Sequence, residues 1–140
     1  MNIYKCMENY EEDRKYYTPL LYACKKNNEK IVKYLIENGE EINKEDIYGN
    51  TSLIIACENG NENMTKYLIK KGADLHKNNK NGETPLIKAS CRRNNENIVK
   101  LLIEKGANVN KENIYHDTPL MNACIGGNEN IIRILIKNGA

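Results

Sequence analysis

Apolar residues recur along this chain in two alternating phrases. The first is short and places apolar or small residues at i, i+3 and i+4, as in Leu20, Ala23 and Cys24, then Leu53, Ala56 and Cys57. That spacing lies on one face of a helix, and the small side chains let a neighbouring helix come close. The second phrase carries paired aliphatics, Ile31, Val32, Leu35 and Ile36, or Ile98, Val99, Leu102 and Ile103. Polar residues punctuate both. Thr18, Thr51, Thr84 and Thr118 open the first phrase, and the three prolines of the chain each follow one of these threonines. Threonine as N-cap with proline at the first helical position is a helix start, since no N–H is needed there. Asn28, Asn61, Asn95 and Asn128, each followed by glutamate, open the second phrase. An N-cap amide with an acid at the positive helix end predicts another helix start. Gly39, Gly72, Gly106 and Gly139 close it, where a helix end favours a residue that tolerates positive φ.

The threonines are spaced 33, 33 and 34 residues apart, so one unit is written four times. Two such helices cannot hide their apolar faces from water, but stacked units can, each burying the next one's face. A fully buried leucine contributes about 1.5–3 kcal/mol, so several per unit can exceed the ordering entropy. The unit at Thr84 is irregular. Nine steps separate Ala89 from Ile98, against eight from Ala56 to Met64. The spacing leaves the small packed position to either Ser90 or Cys91; the expectation is that Ser90 packs and Cys91-Arg92-Arg93 bulges, a basic bulge beside Lys88.

At 140 residues the chain has the size of one domain. Its 21 basic and 19 acidic residues leave a net charge of +2 and are interspersed. A nucleic-acid binder would gather positive charge on one face, so no nucleic-acid partner is expected. No apolar run approaches the roughly 18 residues of a membrane span, and no membrane partner is expected. Met1 to Cys6 lacks an apolar signal core, so the expected address is intracellular and cytoplasmic. Cys6, Cys24, Cys57, Cys91 and Cys124 contain no C-x-x-C pair. Cys24, Cys57 and Cys124 share one repeat position and are expected to be small buried side chains. His76 and His116 have no repeated carboxylate or thiol partner, and no phosphate loop or zinc spacing occurs. No catalytic residue, metal or cofactor is therefore expected.

The Thr-Pro-Leu starts, the small pair at Ala23 and Cys24, the paired aliphatics and the endings Ala73-Asp74-Leu75 and Ala107-Asn108-Val109-Asn110 resemble the ankyrin repeat. The resemblance runs from Asp13 to Ala140. It implies an all-α solenoid of stacked antiparallel helix pairs with projecting β-hairpin loops, and a non-catalytic protein-binding role for the concave side. The units are about 13–45, 46–78, 79–112 and 113–140, and residues 1–12 form a degenerate N-terminal cap. The family usually has histidine after Thr-Pro-Leu. Here Leu21, Ile54, Ile87 and Met121 stand there, which predicts apolar packing between units in place of polar bonding. Gly49 and Gly82 suit a tight hairpin tip, but Tyr16 and His116 replace glycine and predict strained tips. Asn43 and Asn110 fall where some family members are hydroxylated; the plainer expectation is a turn asparagine bonding its own backbone.

By the same resemblance, positions that vary while the frame stays constant map to the concave surface and hairpin tips. They are Tyr17, Tyr22, Ile47, Tyr48, Ile55, Lys88, Arg92, Arg93, Ile114, Tyr115 and Asn122. Exposed tyrosine and isoleucine beside arginine suit an interface core, and Tyr22, Tyr48, Ile55 and Tyr115 are expected to form one patch. The lysines are expected to form a solvated face. The partner is expected to be another protein, and the apolar final helix (Ile131, Ile132, Ile134, Leu135 and Ile136) could join copies end to end. An alternative is an accessory targeting array cut from a larger protein whose enzyme activity lies outside this chain.

Overall fold

The computed structural model describes residues 17–140; the expected cap at 1–12, and with it Asp13 and Tyr16, lie outside the described residues. Eight helices are seen among the described residues: α1 Pro19–Lys25, α2 Glu29–Glu37, α3 Ser52–Asn59, α4 Glu62–Lys70, α5 Pro85–Ser90, α6 Glu96–Glu104, α7 Pro119–Gly126 and α8 Glu129–Lys137. The threonines cap as their sequence context predicts. Thr18, Thr51, Thr84 and Thr118 each accept, through Oγ1, the N–H three residues on, at 3.2–3.3 Å. Asn28, Asn61 and Asn128 cap the second helices in the same way. The odd-numbered helices pack on one another in chain order to form one layer, and α4, α6 and α8 pack in a second. The core lies between the layers and between units, with Leu53, Ala56, Cys57, Leu68, Leu86, Leu102, Ile131 and Leu135 among its fully buried residues.

The residues standing where the family has histidine divide by position. Leu21, Ile54 and Ile87 are wholly buried, whereas Met121 is 47% exposed. Cys24 and Cys57 are buried and Cys124 is exposed. The expectation of apolar packing therefore holds for three units and fails for Met121 and Cys124. The reason is that no described residue covers the outer side of the fourth unit.

The loops between units are tight turns, and no described residue forms a strand. In each, one side chain organises the turn. Asp46 Oδ1 accepts the N–H groups of Tyr48 and Asn50 at 2.8 Å, and Asn79 and Asn113 do the same two and four residues on. Successive tips are joined by single backbone bonds, Lys80 N–H to Tyr48 O and Ile114 N–H to Asn81 O, each 2.9 Å. One bond per step is too few for a β-ladder, which accounts for the missing strands. Gly49 and Gly82 have φ of +78° and +74°, and His116 is held at +67° in the same position, as the glycine pattern predicts. Asn43 and Asn110 do not bond their own turns. Asn43 Oδ1 accepts the N–H of Asp74 in the next unit at 2.9 Å, and Asn110 Nδ2 donates to Gly139 O at 3.2 Å. Asp74 and Asn108 make the local turn bonds instead.

The third unit closes its helix pair differently from the rest. Units one, two and four pass from first to second helix through a left-handed residue, Asn27, Gly60 or Gly127. The third inserts a residue, and none of Cys91 to Asn94 has positive φ. Of the two alternatives it is Ser90 that packs, as expected: it is fully buried and donates to Leu86 O at 2.7 Å, while Cys91, Arg92 and Arg93 are exposed. Asn95 departs from its expected capping role. Its side chain makes no cap bond; Nδ2 donates to Cys57 O and Ala89 O, both at 3.1 Å. The buried amide thus finds its partners in carbonyls of the preceding unit and of its own first helix, so it is not left unsatisfied.

The bulge also needs a small neighbour. A Cβ on Gly126 would lie 2.4 Å from Cys91 O and 3.0 Å from Cys91 C. Helix propensity alone would make Gly126→Ala stabilising by about 1 kcal/mol. Contact with a backbone carbonyl reverses the sign, and the expected result is a loss of about 1–3 kcal/mol in urea unfolding. A gain in stability would show that the two units are not in this close approach.

Candidate functional site

The fold leaves a groove between the first-helix layer and the inter-unit tips. Its volume is about 280 Å³, and Tyr17, Lys25, Asp46, Asn50, Ile55 and Arg92 are among its lining residues. The groove arises because the tips project from chain that leads into α3 while α1 and α3 lie side by side. Ile55 is the chief correction to the expected surface. It is only 6% exposed and belongs to the hydrophobic core, so it contributes a floor to the groove and not a free contact. A residue on the exposed flank of an isolated helix is covered once neighbouring units pack beside it.

The other expected residues fall into two sets. Ile47 and Tyr48 are 42% and 56% exposed, and Ile114 and Tyr115 are 58% and 65% exposed. They occupy the tips of the second and fourth units, with Lys80 and Asn81 of the third between them. Tyr17 lines the groove beside Ile55 and Arg92, with the Lys25 ammonium 4.6 Å from its ring centroid. Tyr22 is half-buried, 5.6 Å from the Lys26 ammonium, and is not a groove residue. Tyr22, Tyr48, Ile55 and Tyr115 thus do not share one kind of surface: two are tips, one is floor and one is partly covered. Asn122 is also half-buried.

The basic bulge is partly neutralised by partners that sequence reasoning missed. Lys88 Nζ lies 3.0 Å from Glu83 Oε2 and 3.7 Å from Glu58 Oε1, and its side chain is mostly covered. Burial by itself would lower the Lys88 pKa. The Glu83 hydrogen bond and the charges of Glu58 and Glu83 outweigh it and hold the pKa above its ordinary value. Lys88 is accordingly a paired residue bridging two units, not part of a solvated lysine face. Arg93 Nε donates to Gly126 O at 3.2 Å, whereas Arg92 reaches the groove. Burial raises the Cys91 thiol pKa, with Lys88 opposing and the nearby carboxylates adding, so this exposed thiol is not activated as a nucleophile.

Among the described residues no cluster of three or more His, Cys, Asp or Glu could hold a metal ion, and no helix is long and apolar enough to cross a membrane. The site's vocabulary is aromatic, aliphatic and guanidinium contact at projecting tips and a shallow groove. Asp46, Asn79 and Asn113, which shape those tips, were not singled out by periodicity; their aspartate or asparagine at one repeat position was the available signal.

A family model described as ankyrin repeats (3 copies) matches residues 2–79 and again 65–140. A comparison with curated proteins finds no match.

Proposed function

Because the chain belongs to the ankyrin repeat family, whose members are generally protein–protein interaction modules and typically non-catalytic, we propose that it binds a protein through its concave groove and inter-unit tips. The observation that carries this reading is the exposure of Ile47, Tyr48, Ile114 and Tyr115 on tips whose own backbone is locked by Asp46 and Asn113. Large rigid side chains held in place lose little entropy on binding, and tyrosine is enriched among residues that dominate interface energies. Arg92 at the groove adds a guanidinium that can take a carboxylate in a bidentate pair. A self-contained scaffold or inhibitor is the working version, and an accessory array of a larger enzyme is the second reading. An intracellular, cytoplasmic address is part of the proposal, since a reducing compartment suits the free thiols of Cys24, Cys57, Cys91 and Cys124.

The test is affinity capture followed by titration of the recovered partner. A Tyr48→Ala/Tyr115→Ala double variant is expected to unfold at the same urea concentration as the parent and to bind at least about tenfold more weakly. Equal affinity would show that the tips are not the binding surface. Ile55 is unsuitable for this test, because truncating a core residue would weaken the fold itself.

A further inference from the structure

The face of the fourth unit that points away from the third repeats, position by position, the surfaces that hold the first three units together. The side chains that are buried at those positions in the earlier units are open in the fourth. Leu21, Ile54 and Ile87 are enclosed, and their counterpart Met121 is exposed. Cys24, Cys57 and Ser90 are enclosed, and Cys124 is exposed. Val32, Thr65 and Val99 are buried, whereas Ile132 is only half-buried; Ile36, Ile69 and Ile103 are half-buried, whereas Ile136 is 56% exposed. Ile125, at 76% exposure, is a further open apolar residue of α7, at a position that is exposed in the other units as well. The open strip therefore comes chiefly from α7, joined by two residues of α8; Ile131 and Leu135 of that helix are buried in the core.

Polar groups mark the same face in the same register. Glu62 accepts Asn97 Nδ2 of the following unit at 3.1 Å, and Glu96 accepts Asn130 Nδ2, the equivalent amide, at 3.4 Å. Glu129, at the equivalent position, is paired with Arg133 on its own helix. The carbonyls of Tyr48 and Asn81 accept an N–H from the next tip, and Tyr115 is the residue in register with them. An occupant that satisfies this face must bring small and apolar side chains against α7. It must also bring an amide donor to Glu129 and a turn N–H to Tyr115. An undifferentiated apolar ligand offers neither donor.

We propose that this face is a docking site for a further helix pair of the same repeat form, seated by the contacts that already join units one to four. It is a second interaction surface, at the end of the stack and separate from the groove. The probe is a copy of residues 41–73 joined after Ala140, where it continues the period and carries Asn63 and Ile47 into the register of the two donors. Peptide-resolved thiol labelling reads the result. In the 140-residue chain Cys124 is expected to react freely while Cys57 is protected; in the extended chain Cys124 is expected to become at least about tenfold slower. Met121→Lys in the extended chain is expected to restore its reactivity. Unchanged Cys124 labelling in the extended chain, whether or not circular dichroism shows the added helices, would overturn the proposal. So would dimerisation of the 140-residue chain that protects Cys124 in sedimentation experiments, because the occupant would then be a second copy.

Discussion

Replacing Ile54 with histidine is expected to destabilise the protein by about 3–5 kcal/mol, a large share of the roughly 5–15 kcal/mol that holds an ordinary domain together. Ile54 is wholly buried at the start of α3, one residue beyond Leu53 and directly above the Thr51 cap that its N–H engages. The substitution removes an aliphatic side chain from a closed site. It also inserts an imidazole whose nitrogens must find partners among groups already bonded elsewhere. The midpoint of thermal unfolding should fall on the order of 10–20 °C. Met121→His is the matched control, because the same repeat position is half open there and water can solvate the ring. Its cost should stay below about 1 kcal/mol. Equal costs at the two positions, or a gain at Ile54, would overturn the view that this position packs one unit against the next.

Alkaline pH should be the second strong perturbation. Burial pushes the thiols of Cys24 and Cys57 up to about 12, the latter against an opposing hydrogen bond with Thr65. In the unfolded chain both titrate near 9, the value of an unburied thiol. Their folded pKa values are raised, so the stability they contribute is complete below pH 9 and declines as pH rises toward 12. In that window the unfolded state has lost protons that the folded state keeps, which makes the slope of stability against pH negative. Moving from pH 9 to 10.5 should remove about 2 kcal/mol per thiol. Tyr67 acts in the same direction, its pKa raised by desolvation and by Glu37. A Cys24→Ala/Cys57→Ala variant should keep most of its pH 9 stability at pH 10.5 in urea titrations. A parent protein with no steeper alkaline slope than this variant would show that the two thiols are not sealed from water.

How much of this was legible beforehand depended on how far apart the interacting residues lie. Thr84 caps Ile87 three residues away, and the Thr-Pro-Leu phrase therefore marks a helix start wherever it occurs. The extra residue near Arg92 was visible as a change of period, but the period alone left Ser90 and Cys91 as alternatives for the packed position, which Ser90 fills. Asn95 looked like the other three capping asparagines, and nothing within a few residues reveals that its amide turns to Cys57 O, 38 positions back. Ile55 seemed to be a variable surface residue for the same reason. Lys88 resembled a solvated lysine until Glu58, on the preceding unit, came within 3.7 Å. The patch imagined from Tyr22, Tyr48, Ile55 and Tyr115 rested on unit-by-unit equivalence, but tips, floor and helix flank differ in exposure.

The sequence by itself determined the number and phase of the helix pairs, their caps, the left-handed tip at His116 and the site of the insertion. Each of these is set by torsional preference, a hydrogen bond spanning two to four residues, or the spacing of apolar side chains, all of which act within one unit. Only the tertiary structure decided that Ile55 is floor, that Lys88 is paired, that Gly126 makes room for Cys91 and that Met121 and Cys124 stand open. Those outcomes depend on what a neighbouring unit, some 33 residues away, places against the side chain. Desolvation and close packing are properties of that meeting, not of either partner alone.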